Sequence, residues 1–235
     1  MQVNGRKALV FGGTSGIGLA TTKLLADKGC DVVAISRQPK DIPDGWAQNV
    51  TFEPCDVRDR EALQELFTRH APFDILVSTA TGGERVLQPF RDMDLDGFVG
   101  SFDKLWGYAN VVRLGLEHLP DDGAIVLVSG SPARRCNPKQ VALSAVGGAV
   151  EAMVRGIAKE ITPIRINTLS PGLIDTPIVT LQDEARNAHY AKLTEKNLIA
   201  RAGAPEECAM GIVFLIENDF VTGTTIDVDG GILLS

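Results

Sequence analysis

Short runs of Val, Ile, Leu and Ala recur along this chain, each followed by a longer amphipathic stretch, and that alternation leaves few folds open. Some runs, such as 8–11 and 124–128, are apolar at every position. A strand with no polar face needs cover on both sides, which parallel strands receive from the helices that connect them. The pattern predicts strands over 8–11, 31–36, 50–53, 75–78, 124–129, 165–169 and 225–228, with helices over 17–28, 60–69, 98–118, 142–161 and 205–217. Pro205 followed by Glu206 and Glu207 suits a first helical turn, where a missing amide costs nothing and the helix dipole favours acids. Repeated β-α units of this kind predict an α/β fold: a doubly wound, seven-stranded parallel sheet with helices on both faces.

No linker, repeat or composition shift divides the 235 residues, so a single domain over 1–235 is expected. Hydrophobic residues at 44% and charged residues at 23% are ordinary values for a folded, soluble chain. The net charge of -7 repels phosphate backbones and anionic lipid alike, which argues against nucleic acid or a membrane as partner. Residues 1–7 carry no apolar signal core, and no apolar run approaches the roughly 20 residues needed to span a bilayer. A cytoplasmic protein is expected. Cys30, Cys55, Cys136 and Cys208 stand far apart with no C-x-x-C pair, so the sequence indicates neither a disulfide framework nor a metal site.

Directly after the first predicted strand comes Gly12-Gly13-Thr14-Ser15-Gly16-Ile17-Gly18, which runs straight into a helix. Strand, glycine loop and helix in that order bring backbone amides and the positive helix end up to a diphosphate, and glycine is needed wherever a Cβ would block the approach. This is the dinucleotide loop of a Rossmann fold. An acid at the end of the second strand would accept from a ribose 2′-hydroxyl, but here Ser36-Arg37 stand at that point. A guanidinium beside a hydroxyl clamps phosphate, so the expected cofactor is NADP(H).

With these residues in view, the chain resembles the short-chain dehydrogenases/reductases over essentially its whole length. Their T-G-x-x-x-G-x-G loop is matched from Gly12 onward, with Phe11 in the threonine place. Cys55-Asp56-Val57 resembles the pair that contacts adenine, and the stretch from Asn167 through Pro171-Gly172-Leu173-Ile174-Asp175-Thr176 resembles the nicotinamide-side motif. The stretches 201–207 and 228–231 are similar to the family's closing signature. The resemblance implies cofactor contacts from Gly12, Thr14, Ser15, Gly16, Ile17, Gly18, Ser36, Arg37, Asp56, Val57, Ser78, Ala80, Pro171, Gly172, Ile174 and Thr176. It also implies a homo-tetramer or homo-dimer built on the helices around 104–118 and 142–161.

The family's reaction uses a tyrosine as acid/base, a lysine four residues later, a serine and an asparagine. Placed by their flanks, the tyrosine and lysine positions fall on Leu143 and Gly147, neither of which can transfer a proton. The serine position falls on Gly130, with Ser129 and Ser131 to either side, and the asparagine position on Lys104. The loop after the fourth strand, normally N-N-A-G, reads Ser78-Thr79-Ala80-Thr81 before Gly82 and Gly83. Lys104 and Tyr108 are four apart, share a helix face and are the right chemical types for a replacement pair. The competing reading puts Tyr108 in a subunit interface. Tyr190, beside His189 in the mostly polar segment 174–202, is a second replacement acid if that segment acts as a lid over a substrate. Ser129, Ser131 and Ser144 are hydrogen-bond donors near the expected site.

Three functions remain open on these residues. One is an NADP(H)-dependent oxidoreductase acting on a small carbonyl or alcohol of unknown identity, with an unusual proton donor. A second is a regulatory protein that binds the cofactor and catalyses nothing, and a third is a non-redox enzyme on the same scaffold.

Overall fold

Each apolar run becomes a strand, and the strands lie side by side. In the computed structural model, which describes residues 1–39, 48–81, 83 and 85–235, they are β1 (Lys7–Phe11), β2 (Asp31–Ser36), β3 (Val50–Pro54), β4 (Ile75–Ser78), β5 (Ala124–Val128), β6 (Arg165–Pro171) and β7 (Thr225–Val228). They form one sheet in the order β3-β2-β1-β4-β5-β6-β7. All neighbouring pairs are parallel. The order reverses between β1 and β4, and in open α/β sheets a ligand crevice opens at such a switch point, outside the carboxyl ends of the strands.

The connecting helices divide between the two faces. On one side, α1 (Gly16–Asp27) and α7 (Pro205–Glu217) cover Val10, Ala34, Val77 and Val126 with Leu25, Ile212 and Leu215. On the other, α2 (Arg60–His70), α4 (Asp103–Gly115) and α5 (Val141–Ile157) cover Leu9, Phe11, Leu76 and Ile125 with Phe67, Val111 and Val150. Successive strand residues go to opposite layers, as the two-residue period of a strand requires.

Two expectations are corrected. The predicted helix over 98–118 is two helices, α3 (Leu95–Ser101) and α4, joined at Phe102. Gly97 and Gly100 weaken the first, since a glycine costs about 1 kcal/mol against alanine in a helix interior, while Asp94 caps it by accepting from the amides of Asp96 and Gly97. The polar segment 174–202 contains a helix, α6 (Asp183–Thr194), that the periodicity did not signal because only Tyr190 and Thr194 of it are buried. The first turn of α7 is as predicted, with Glu207 accepting from the Ala204 amide at 2.7 Å. Of the four free cysteines only Cys136 is exposed. Among the described residues no helix is long and apolar enough to cross a membrane.

Arg165 opens β6 with its side chain buried, and its guanidinium donates to the carbonyls of Leu215 (2.9 Å), Ile216 (2.6 Å), Asn218 (3.0 Å) and Val221 (3.1 Å). One side chain thus closes the last turn of α7 and the loop that leads into β7. Arg165→Met would leave those carbonyls without that donor, at about 2–4 kcal/mol of stability. Urea unfolding is expected to show a lower midpoint with an unchanged slope.

Candidate functional site

The glycine loop is shaped by close approaches. Gly12 has a positive φ of 79°, and a Cβ there would lie 2.5 Å from Thr79 Oγ1, in the loop after β4. A Cβ at Gly18 would lie 2.1 Å from the Gly12 carbonyl oxygen, so α1 begins pressed against the strand it follows. Buried Thr22 donates to the Gly13 carbonyl at 3.0 Å and fixes the loop to the second turn of the helix. At the N-terminus of α1, Ser15 makes no side-chain cap and the first turn holds no acid. Amide groups and the positive helix end therefore face outward uncovered, which suits the diphosphate of a dinucleotide.

Beside this loop opens a cavity of about 560 Å³, within the range of ligand sites. It is lined by Ser36, Arg37 and Asp56 beyond β2 and β3, by the loop and Ala80, and by Ser129, Pro171, Gly172 and Ile174 beyond β5 and β6, with Thr176 lying over Gly16. Every expected cofactor position lines it except Ser78, which is wholly buried at the end of β4. Its hydroxyl has no hydrogen-bond partner among the described residues. Gly82, singled out with Gly83 in the same loop, lies outside the described residues.

At the β2 end, Arg37 is exposed and Ser36 Oγ has no partner among the described residues. The nearby Asp56 carboxylate is gripped by Arg58, which donates to it from Nε at 3.1 Å and Nη2 at 2.8 Å. Those bonds, helped by the Arg37 charge, hold its carboxyl below the usual range. Asp56 is therefore occupied by Arg58, and Arg37 forms no hydrogen bond or ion pair among the described residues, so it can meet an anion.

At the far end, the two members of the predicted pair part company. Lys104 lines the cavity, its Nζ donating to the Ser129 carbonyl at 3.1 Å. Burial, with a smaller contribution from the Arg85 charge, brings its pKa down to about 7. Tyr108 lies beneath it, with Lys104 Nζ 5.5 Å from the ring centre. The ring belongs to the core layer, its hydroxyl donates to the Val128 carbonyl at 3.2 Å, and burial pushes the phenol far above its ordinary value. Tyr108 does not line the cavity and is buried within its own chain, so neither a proton-donor role nor an interface role suits its position.

Ser129 lines the cavity, but its hydroxyl donates at 3.0 Å to Glu151, a buried acid on α5 that also stands 3.6 Å from Arg134. Arg134 in turn pairs with Asp227 on β7. Ser129 is thus held from behind, its proton directed away from the cavity. Ser131 is buried in the short turn over 131–133 and Ser144 lies on α5, neither of them in the lining. Leu143 and Gly147 also lie outside the lining. A Cβ at Gly147 would meet Ala133 Cβ at 3.0 Å, so that turn occupies the space a side chain there would take. Tyr190 is a buried residue of α6, with Arg186 over its ring at 5.4 Å, and is likewise absent from the lining.

Two residues escaped the sequence reading. Glu151 was legible in principle, as a lone acid on the apolar stripe of α5. Arg85 sits in an irregular loop where no periodicity speaks, and only the folded chain places it in the cavity wall.

Comparisons with known proteins agree with this arrangement. A family model described as enoyl-(acyl carrier protein) reductase matches residues 12–233. The 3-oxoacyl-acyl-carrier-protein reductase FabG of Thermotoga maritima is 31% identical over 252 residues, covering 100% of this chain and 100% of that protein. L-xylulose reductase of Cavia porcellus is 30% identical over 240 residues, covering 97% of each. Among solved structures, a small-chain dehydrogenase in complex with NADPH aligns with a TM-score of 0.83 at 29% identity, over 99% of this chain and 100% of that one. From glycine loop to last strand, in sequence and in fold, the chain belongs to the short-chain dehydrogenase/reductase family.

Proposed function

We propose that the protein is an NADP(H)-dependent oxidoreductase that interconverts a small carbonyl compound and its alcohol, with Lys104 in the proton-donor role that the family gives to tyrosine. The observation that carries this reading is an amine of pKa about 7 in the wall of the cofactor cavity. A general acid works best when its pKa lies near the working pH, and a buried lysine reaches that range because desolvation disfavours its charge. NADPH, when bound, supplies the hydride. Lys104 holds a proton at Nζ for the carbonyl oxygen, and the neutral amine left behind regains its proton from solvent. The Ser129 carbonyl orients Nζ, and Glu151 holds Ser129 in place. Arg37 and Ser36 support a preference for the 2′-phosphate, because the neighbouring Asp56 is already paired with Arg58.

Leu143 and Gly147 favour a second reading, a cofactor-binding protein without turnover. NADPH oxidation against a panel of small carbonyl compounds separates the two: tight NADPH binding with no oxidation of any member selects the second. We also propose self-association through α4 and α5, the helices around 104–118 and 142–161, where Trp106 is 59% exposed. Light scattering at micromolar concentration is expected to give a dimer or tetramer mass, and a monomer mass refutes it.

Calorimetry is expected to show NADPH binding at least about tenfold more tightly than NADH, or 1.4 kcal/mol. Arg37→Asp should reverse that order. For the chemical step the sign follows from the donor: reduction needs the ammonium, so its rate should be full below about pH 7 and fall as pH rises through that value, while alcohol oxidation should rise through it. Lys104→Met should remove this pH dependence and cost roughly 10² to 10⁴ in kcat. A pH profile that survives Lys104→Met places the donor elsewhere.

A further inference from the structure

The cavity is more cationic than the chain that encloses it. The protein carries a net charge of -7, yet the described cavity wall contains Arg37, Arg85 and Lys104 against a single carboxylate, Asp56. Asp56 is bound to Arg58 at the adenine end. Arg37 lies at that end too, directly after the last residue of β2. Two cations therefore remain at the opposite end, beside Ser129.

Arg85 is held there by its loop. A Cβ at Gly83 would lie 2.6 Å from Asp103 Oδ2 and 3.1 Å from the Gly100 carbonyl, so the chain just before Arg85 rests on the junction of α3 and α4. Just after it, the Val86 amide donates to Ser101 Oγ at 3.2 Å, and that hydroxyl donates to the Gly97 carbonyl at 2.9 Å. The loop thus meets the junction of α3 and α4 on both sides of the arginine, close to Lys104 at the start of α4. Arg85 remains open to solvent, although the protein packed around it draws its pKa down. No carboxylate among the described residues compensates its charge. With no carboxylate between them among the described residues, the two cations repel each other, and a site focusing positive potential on an acidic protein attracts an anion.

The same cavity wall also carries the apolar side chains of Leu173, Ile174, Ile178 and Val179. Resting on the oxidoreductase reading, we propose that the substrate is a short aliphatic oxo acid whose carboxylate is bound by Arg85 while its carbonyl oxygen faces Lys104. A guanidinium meets a carboxylate with two parallel hydrogen bonds, which sets the orientation of a small ligand as well as its affinity. The anion also acts on Lys104. The groups facing that ammonium are Arg85 from the loop after β4, Tyr108 from its own helix and the Ser129 carbonyl from the end of β5, with Glu151 behind Ser129. Neutralising Arg85 removes the repulsion that helps to discharge Lys104, so a carboxylate substrate raises the proton affinity of the donor it needs.

The test uses the full-length protein saturated with NADP⁺ and titrated by calorimetry with 2-oxo-, 3-oxo- and 4-oxopentanoate and with the methyl ester of each. At least one carboxylate is expected to bind about tenfold or more tightly than its ester, a difference of 1.4 kcal/mol. Arg85→Met should erase that preference, Arg85→Lys should restore part of it, and neither should change NADPH affinity. If turnover is seen, the fall in reduction rate at high pH should lie at higher pH with the carboxylate than with its ester. Equal binding of acid and ester, no binding of any carboxylate, or a preference that survives Arg85→Met overturns the proposal. A loss of NADPH affinity in Arg85→Met also overturns it, by assigning the arginine to the cofactor. Because binding is read without turnover, a protein that binds the carboxylates but never oxidises NADPH retains the anion site and loses only the oxidoreductase reading.

Discussion

Between Gly18 and the carbonyl of Gly12 there is room for nothing larger than hydrogen. That contact sets where α1 starts, and with it the direction of the helix end that faces the cavity. It also sets how closely the loop after β4 approaches, because Thr79 Oγ1 stands 2.5 Å from where a Cβ of residue 12 would be and 2.6 Å from where one of residue 18 would be. The floor of the cavity is therefore a three-way crossing of strand, helix and loop, made possible by two missing side chains. Polar groups elsewhere in the site take their places from this crossing: Arg37 at the end of the neighbouring strand, Ser129 two strands away, and Lys104 on α4, between β4 and β5.

The outline of this crossing was visible in the sequence because it depends on local rules. A glycine needed for close approach, an apolar run that must be covered on both faces and an acid in a first helical turn each act within a few residues of themselves. Strands β2, β4 and β7 and helix α7 accordingly fall where the pattern puts them. What the pattern missed depends on distant contacts. The break at Phe102 comes from a glycine-weakened turn meeting a helix start at Asp103, whose carboxylate is taken by Arg58 from beyond β3. Helix α6 buries too little to leave a periodic trace. Arg85 has no periodicity at all, and its place in the wall follows only from how Gly83 and Ser101 seat its loop.

Lys104 and Tyr108 show why residue type and spacing are insufficient to assign chemistry. Both lie on one helix face, as four-residue spacing requires, and the ammonium reaches the ring. Yet burial acts on them in opposite directions. It discharges the amine toward neutrality near pH 7 and holds the phenol protonated at any ordinary pH, since in each case the low-polarity surroundings disfavour the charged form. The same environment makes one of them a useful acid and the other inert, and the difference lies in which form carries the charge.

Arg186 on α6 bonds the Asp175 carboxylate and the backbone carbonyls of Thr176, Val179 and Leu181. Three of its four partners are main-chain oxygens, present whatever side chains occupy those positions. The wall residues Ile178 and Val179 can therefore be exchanged without loosening the segment that carries them. A lineage that needed a different substrate could redraw this side of the cavity one residue at a time, with the frame that holds it intact at every step.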